Sequence, residues 1–207
     1  MSSEIALYTP LDAQDSGQVD QKQRDAADNQ RRLRRVVGRH RRPEGTVLGT
    51  LVHAAIRRWR FPGDAGLDEL LRAEALMEGL VDQEERDATI AQAKELLNRL
   101  RADARFVDMD STAIRRHEIP YSILGDSGLP SMGVIDLIYR GTDRKWNIVD
   151  FKTDDIQDDA QFLQLIEQYS KQIVRYREAV RQLLGQSAES WLCFLNYGSN
   201  VRWERIP

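Results

Sequence analysis

Two short acidic patterns stand inside apolar sequence, "GVIDLIY" around Asp136 and "KWNIVDFKTD" around Asp150 and Lys152. In a strand, side chains alternate between faces with period two, so Asp150 and Lys152 share one face. If the "GTDR" turn centres near Asp143, residues whose numbers sum to about 286 face each other, which sets Asp136 across from Asp150. The preceding "GDSGLP" turn, centred near Asp126 and Ser127, brings Glu118 opposite Asp136 unless a bulge at Pro120 shifts the register. Carboxylates this close repel one another unless a proton or a cation lies between them, and oxygen ligands suit Mg²⁺ or Mn²⁺. The bland alternative is that Asp150 and Lys152 pair only with each other, the commoner fate of a lone Asp-x-Lys. Convergence of several acids within apolar sequence argues for the metal, because an uncompensated buried charge costs several kcal/mol.

The elements that must hold these groups are legible from periodicity. "TVLGTLVHAAIRRW" places Val47, Leu48, Leu51, Val52, Ala55, Ile56 and Trp59 at helical spacing behind Thr46, a good N-cap. "FPGDAG" stops that helix, and two more are expected near 67–80 and 82–104. After Asp110 the period becomes strand-like, and three runs, 112–124, 131–140 and 145–153, form an antiparallel meander. A long helix follows, with Leu163, Ile166, Ile173, Val174, Ala179, Leu183 and Leu184 as its expected apolar side and Gly185 as its stop. "SWLCFLNYG" and "NVRWERI" read as two last strands. Three helices, three strands, one helix and two strands imply an α/β (α+β) fold with one central mixed sheet, since a strand reached through a crossover helix can pair in parallel.

The chain has 207 residues and a net charge of −3, enough for one domain of ordinary size. Residues 1–43 carry few apolar groups and are expected to be a flexible polar and basic arm, with 44–207 as a single domain. Within the arm, "RRLRRVVGRHRR" at 31–42 contains seven arginines. A phosphate-binding arm and a solvated charge run fit that stretch about equally. One cysteine, Cys193, excludes a disulfide framework or a four-cysteine iron–sulfur cluster built within the chain. No apolar run approaches the ~20 residues that span a bilayer, and no signal-peptide stretch opens the sequence, so a cytoplasmic location without membrane contact is expected. There is no GxxxxGK[ST] loop, hence no expected nucleotide cofactor or helicase motor in this chain.

The ordered set "GTLVH" ending in His53, "GVIDLIY", "IVDFKTD" and "QIVRY" resembles the PD-(D/E)xK nuclease superfamily, in its RecB/AddA-like branch without iron–sulfur cysteines. The resemblance spans about 46–206 and implies a restriction-endonuclease-like core with a flanking N-terminal helical segment. It also implies a Mg²⁺-dependent deoxyribonuclease, exonuclease-like, of the helicase–nuclease type used in DNA repair and recombination. On this resemblance Asp136, Asp150, Lys152, Gln172 and Tyr176 form the catalytic group. His53, Asp136, Asp150 and the Phe151 carbonyl are the implied ligands of Mg²⁺ or Mn²⁺, and Glu118 is a further acidic candidate. Arg57, Arg58, Arg60 and Tyr169 are expected on the nucleic acid. The expected partners are DNA ends and a helicase, as a further domain or a separate chain. A non-cleaving DNA-binding module of a repair complex and a nuclease acting on RNA remain as alternatives, since a metal at a phosphate does not read the sugar.

Overall fold

The computed structural model describes residues 46–124 and 128–207. The arginine-rich run and the rest of the expected arm lie outside these residues. The first helix, α1 (Val47–Arg58), starts where the sequence places it, with the Thr46 side chain accepting from the Gly49 N–H at 3.2 Å. Two amphipathic helices follow, α2 (Leu67–Met77) and α3 (Gln83–Ala102), the latter capped by Asp82 through the Glu85 N–H. A short helix, α4 (Ala104–Ser111), is additional to the elements expected from periodicity. Asp103 ends α3 in an extended conformation and caps α4 by accepting from the Arg105 N–H at 2.9 Å, so "RADAR" carries an N-cap signal inside a helical pattern.

The strands β1 (Arg115–Leu124), β2 (Pro130–Arg140) and β3 (Trp146–Lys152) form the expected antiparallel meander. Helix α5 (Asp159–Leu184) then crosses over to β4 (Ala188–Tyr197), which pairs with β3 in parallel, and β5 (Asn200–Ile206) closes the sheet antiparallel to β4. The five strands lie in sequence order in one mixed sheet. Helices cover both faces. Helices α1 to α4 bury Leu51, Leu71, Leu97 and Met109 against Leu137, Val149, Phe151 and Cys193. On the other face, α5 buries Phe162, Ile173, Tyr176 and Val180 against Ile138, Ile148, Leu192 and Phe194.

The apolar side of α5 differs from the sequence expectation. Leu163, Val174, Leu183 and Leu184 are exposed, and the helix buries Phe162, Ile173, Tyr176, Ala179 and Val180, flanked by the half-buried Ile166 and Tyr169. Positions 162, 166, 169, 173, 176 and 180 make one stripe at alternating steps of four and three, whereas the expected set mixed two stripes.

One irregularity in the sheet shapes everything around the acids. On β2, Ile135 and Ile138 belong to the α5 face while Leu137 and Tyr139 belong to the opposite one, so the face exchange falls at Asp136. On β1, Tyr121 and Ile123 pack on the α5 face, yet His117 lies 5.1 Å from the Trp59 ring on the other side. The register does not slip, since Arg115 pairs with Tyr139 and Leu124 with Pro130, both sums being 254. Both strands instead roll over together at Glu118, whose φ of 49° is left-handed. A non-glycine residue in that region costs on the order of 1–2 kcal/mol, and such strain concentrates at functional sites.

Candidate active site

Asp136 sits where β2 and β3 part. The last pair of their ladder is Leu137 with Val149, and continuing the register by one rung sets Asp136 across from Asp150. At that point a side chain takes over from the backbone: the Phe151 N–H donates to Asp136 Oδ2 at 3.0 Å. Asp136 is only 3 % exposed, and the same Oδ2 lies 3.4 Å from His53 Nδ1 on α1. Close packing aims that histidine. Gly49, one turn before it, is buried, and a Cβ there would stand 3.1 Å from Thr153 Oγ1, so α1 presses directly onto the segment following β3.

The left-handed turn at Glu118 brings a second carboxylate to the same place. His53, Glu118 and Asp136 each offer a ligand atom, and these atoms all lie within 4.8 Å of one another. One imidazole and two carboxylates, two of the three residues half-buried and one buried, form a donor set that fits a hard divalent cation. Glu118, the least specified of the acids in the sequence, is thus drawn into the group by a backbone conformation. Its neighbour His117 is not part of that group. Burial first, and the nearby Arg115 second, push His117 down to about 4, so its ring is neutral beside Trp59.

Asp150 turns to Lys152. It is 1 % exposed, and its Oδ2 lies 2.7 Å from Lys152 Nζ. Residues of α5 hold the amine from the other side. Gln172 Oε1 accepts from Nζ at 3.2 Å, the Tyr169 ring centroid lies 3.9 Å from it, and Gln172 Nε2 in turn donates to Tyr176 Oη. Gln172 and Tyr176 share a helix face at i, i+4 spacing, and here that spacing builds a chain from Tyr176 through Gln172 to Lys152. Tyr169 is fixed by Asp154, whose two oxygens accept from its hydroxyl at 3.0 and 3.2 Å. Burial, and then Asp154, drive the Tyr169 hydroxyl well above its ordinary range, which keeps it protonated as a donor. Asp154 lies inside "VDFKTD", but no local pattern marks it for this part; only the tertiary contact with α5 assigns one.

The three arginines after His53 are not equivalent. All three are exposed, with Arg57 donating to Glu74 Oε1 at 3.2 Å and Arg60 to the Ala65 carbonyl. Phe151 buries its ring completely in the core and meets the site through its backbone.

A family model described as the PD-(D/E)XK nuclease superfamily matches residues 26–202. An ATP-dependent helicase/nuclease chain of Staphylococcus carnosus (strain TM300) is 27 % identical over 180 residues, covering 77 % of this chain and 14 % of that protein. The chain therefore spans about one seventh of the length of that relative. Among solved structures, the one described as "Putative exonuclease" from Eubacterium rectale superposes with a TM-score of 0.54 at 17 % identity, covering 79 % of this chain and 60 % of the other. At that identity the likeness concerns the fold, and it is the same mixed sheet with flanking helices.

Proposed function

The chain belongs to the PD-(D/E)XK nuclease superfamily and is a hydrolase of phosphodiester bonds in nucleic acid, and from that premise we propose a divalent-metal-dependent deoxyribonuclease that works with a helicase in DNA repair or recombination. The observation that carries the chemistry is the meeting of His53, Glu118 and Asp136 ligand atoms within 4.8 Å, beside an amine pinned by Asp150 and Gln172. His53, Glu118 and Asp136, with Asp150 and the Phe151 carbonyl completing the set, would hold Mg²⁺ or Mn²⁺. When bound, such an ion supplies a water of lowered pKa and neutralises charge on the phosphate.

The chain's own groups do the rest. Lys152 donates to a nonbridging oxygen of the scissile phosphate as negative charge builds there, and its restraint by Gln172 and Tyr169 means little reorganisation is needed at that moment. Asp150 directs the Lys152 amine. Tyr176 positions Gln172. Arg58 and the basic run at 31–42 follow the backbone of the strand. The helicase association is supported by the name of the Staphylococcus carnosus relative, one seventh of which this chain matches.

The test is direct. Purified protein is incubated with labelled linear and circular DNA, single- and double-stranded, and with an RNA of the same sequence, in Mg²⁺, Mn²⁺ or EDTA. Metal-dependent shortening of linear DNA, abolished in Asp136→Asn, is the expected result. Cleavage of RNA alone would move the substrate class, and binding of DNA without cleavage in either metal would reduce the chain to a binding module.

A further inference from the structure

At the opposite end of the sheet from the acids lies a cleft of about 460 Å³ that the reaction does not use. It is formed where β3 and β4 begin and β5 ends, against the second half of α5. Trp146, at its wall, precedes Lys152 by six residues along β3, which is roughly 20 Å at the rise of an extended strand.

The lining is rich in cations. Arg144, Lys145, Arg177 and Arg205 face the terminal residue Pro207 and one acidic side chain, Glu189. That carboxylate is shared, its Oε1 being 3.3 Å from Lys145 Nζ and 3.5 Å from Arg205 Nη2. Lys145 also reaches Asp143 at 3.4 Å, and Arg177 donates one guanidinium nitrogen to the Ile206 carbonyl at 3.3 Å. Asp143, Glu189 and the Pro207 carboxylate thus stand against four cations, and one positive charge remains in excess. A second feature is independent of charge. Ser190 lines the same cleft, is 1 % exposed, and its hydroxyl has no hydrogen-bond partner among the described residues. A buried hydroxyl left this way keeps its desolvation penalty unless something arrives to meet it.

We propose that this cleft is a phosphate-binding site, remote from the acids, in which the Arg144, Lys145, Arg177 and Arg205 side chains take the oxyanion and the Ser190 hydroxyl donates to it. Guanidinium groups suit phosphate because their paired N–H donors match two of its oxygens. The same chemistry could reach the cleft on a strand of nucleic acid or on a free nucleoside monophosphate, whose base would meet Trp146. The proposal goes beyond the nuclease reading and does not rest on it, because only the cleft's own groups enter the argument.

The experiment is titration of the full chain, in EDTA, with inorganic phosphate, with dAMP and with a single-stranded oligonucleotide, followed by calorimetry and by the Trp146 indole N–H resonance. Saturable phosphate binding that shifts this resonance is expected. Arg144→Gln combined with Lys145→Gln, both exposed positions, should weaken it at least about ten-fold. Ser190→Ala should weaken it several-fold without lowering the melting temperature, since the hydroxyl it removes is unpartnered in the fold. If oligonucleotide affinity falls in the same variants, the source is a strand; if only phosphate and dAMP respond, it is a free nucleotide. Binding that does not saturate, or that is unchanged in both variants, overturns the proposal. Cleavage is assayed separately with Asp136→Asn, so a failure of the nuclease reading leaves this result independent.

Discussion

Glu118 is the residue at which backbone and chemistry are hardest to separate. A left-handed glutamate in the middle of a strand is retained against a cost of about 1 kcal/mol or more, and what it gains is a place within 4.8 Å of His53 and Asp136. Glu118→Gly tests the two roles against each other, because glycine adopts that φ without penalty while removing the carboxylate. We expect the melting temperature to hold or rise and Mn²⁺ affinity, read by calorimetry, to fall at least about ten-fold, with cleavage falling in parallel. Retained metal affinity would make Glu118 a purely structural turn. Gln172 is the other informative residue, since its Oε1 accepts from the Lys152 amine. Gln172→Ala should lower the rate of bound substrate by about ten- to a hundred-fold with little change in affinity, and should cost almost nothing more in a chain already carrying Lys152→Ala. Additive losses in single-turnover kinetics would show that Gln172 acts on its own.

At the scale of elements, the site depends on a contact between two strands and a helix. Tyr121 pairs with Gly133, and a Cβ on Gly133 would stand 2.7 Å from the Tyr121 hydroxyl and 2.8 Å from its ring. That ring packs edge-on against Tyr176, their centroids 5.8 Å apart, and Tyr176 is the far end of the chain that holds Lys152. The glycine in "SMGVIDLIY" therefore makes room for the ring that supports α5. Gly133→Ala is expected to destabilise the protein by about 1–3 kcal/mol, because the ring is confined on both sides, and to lower activity beyond what the lost folded fraction explains. Equilibrium denaturation, beside activity measured at a temperature where both proteins are fully folded, separates the two effects. Wild-type stability would mean that the ring moves aside freely.

At the scale of the whole molecule, the question is how a chain of net charge −3 approaches a polyanion. Eleven of its 30 lysines and arginines fall in two clusters, seven arginines at 31–42 and four cations around the cleft at the far end of the sheet. Each phosphate contact releases about one counterion, so log affinity should fall with log salt at a slope of about −0.7 to −0.9 per contact. Deleting residues 1–43 should flatten that slope by several units while cleavage of bound substrate stays unchanged. An unchanged slope would reassign the basic run to a protein interface.

Much of this is readable in the sequence, and for a definable reason. Local patterns are set by local forces: Thr46 caps a helix, "GTDR" turns a hairpin, and period-two alternation fixes a register, which is why both hairpin registers fall where the residue sums place them. The ordered motifs around His53, Asp136, Asp150, Lys152 and Gln172 point to the same family that the comparison with known proteins found. What the sequence leaves undecided is every matter of orientation across elements. Periodicity cannot tell which of two apolar stripes α5 buries, because both have helical spacing and only the sheet beneath selects one. Nor can it show that Glu118 adopts a left-handed turn, which no propensity favours and which only the assembled neighbours sustain. Nothing in a linear reading brings Ser190 and Arg177 to one cleft, since strands meet helices there through contacts between residues far apart in the chain. Local sequence wrote the elements and their chemistry; the packing of elements against one another decided which groups meet.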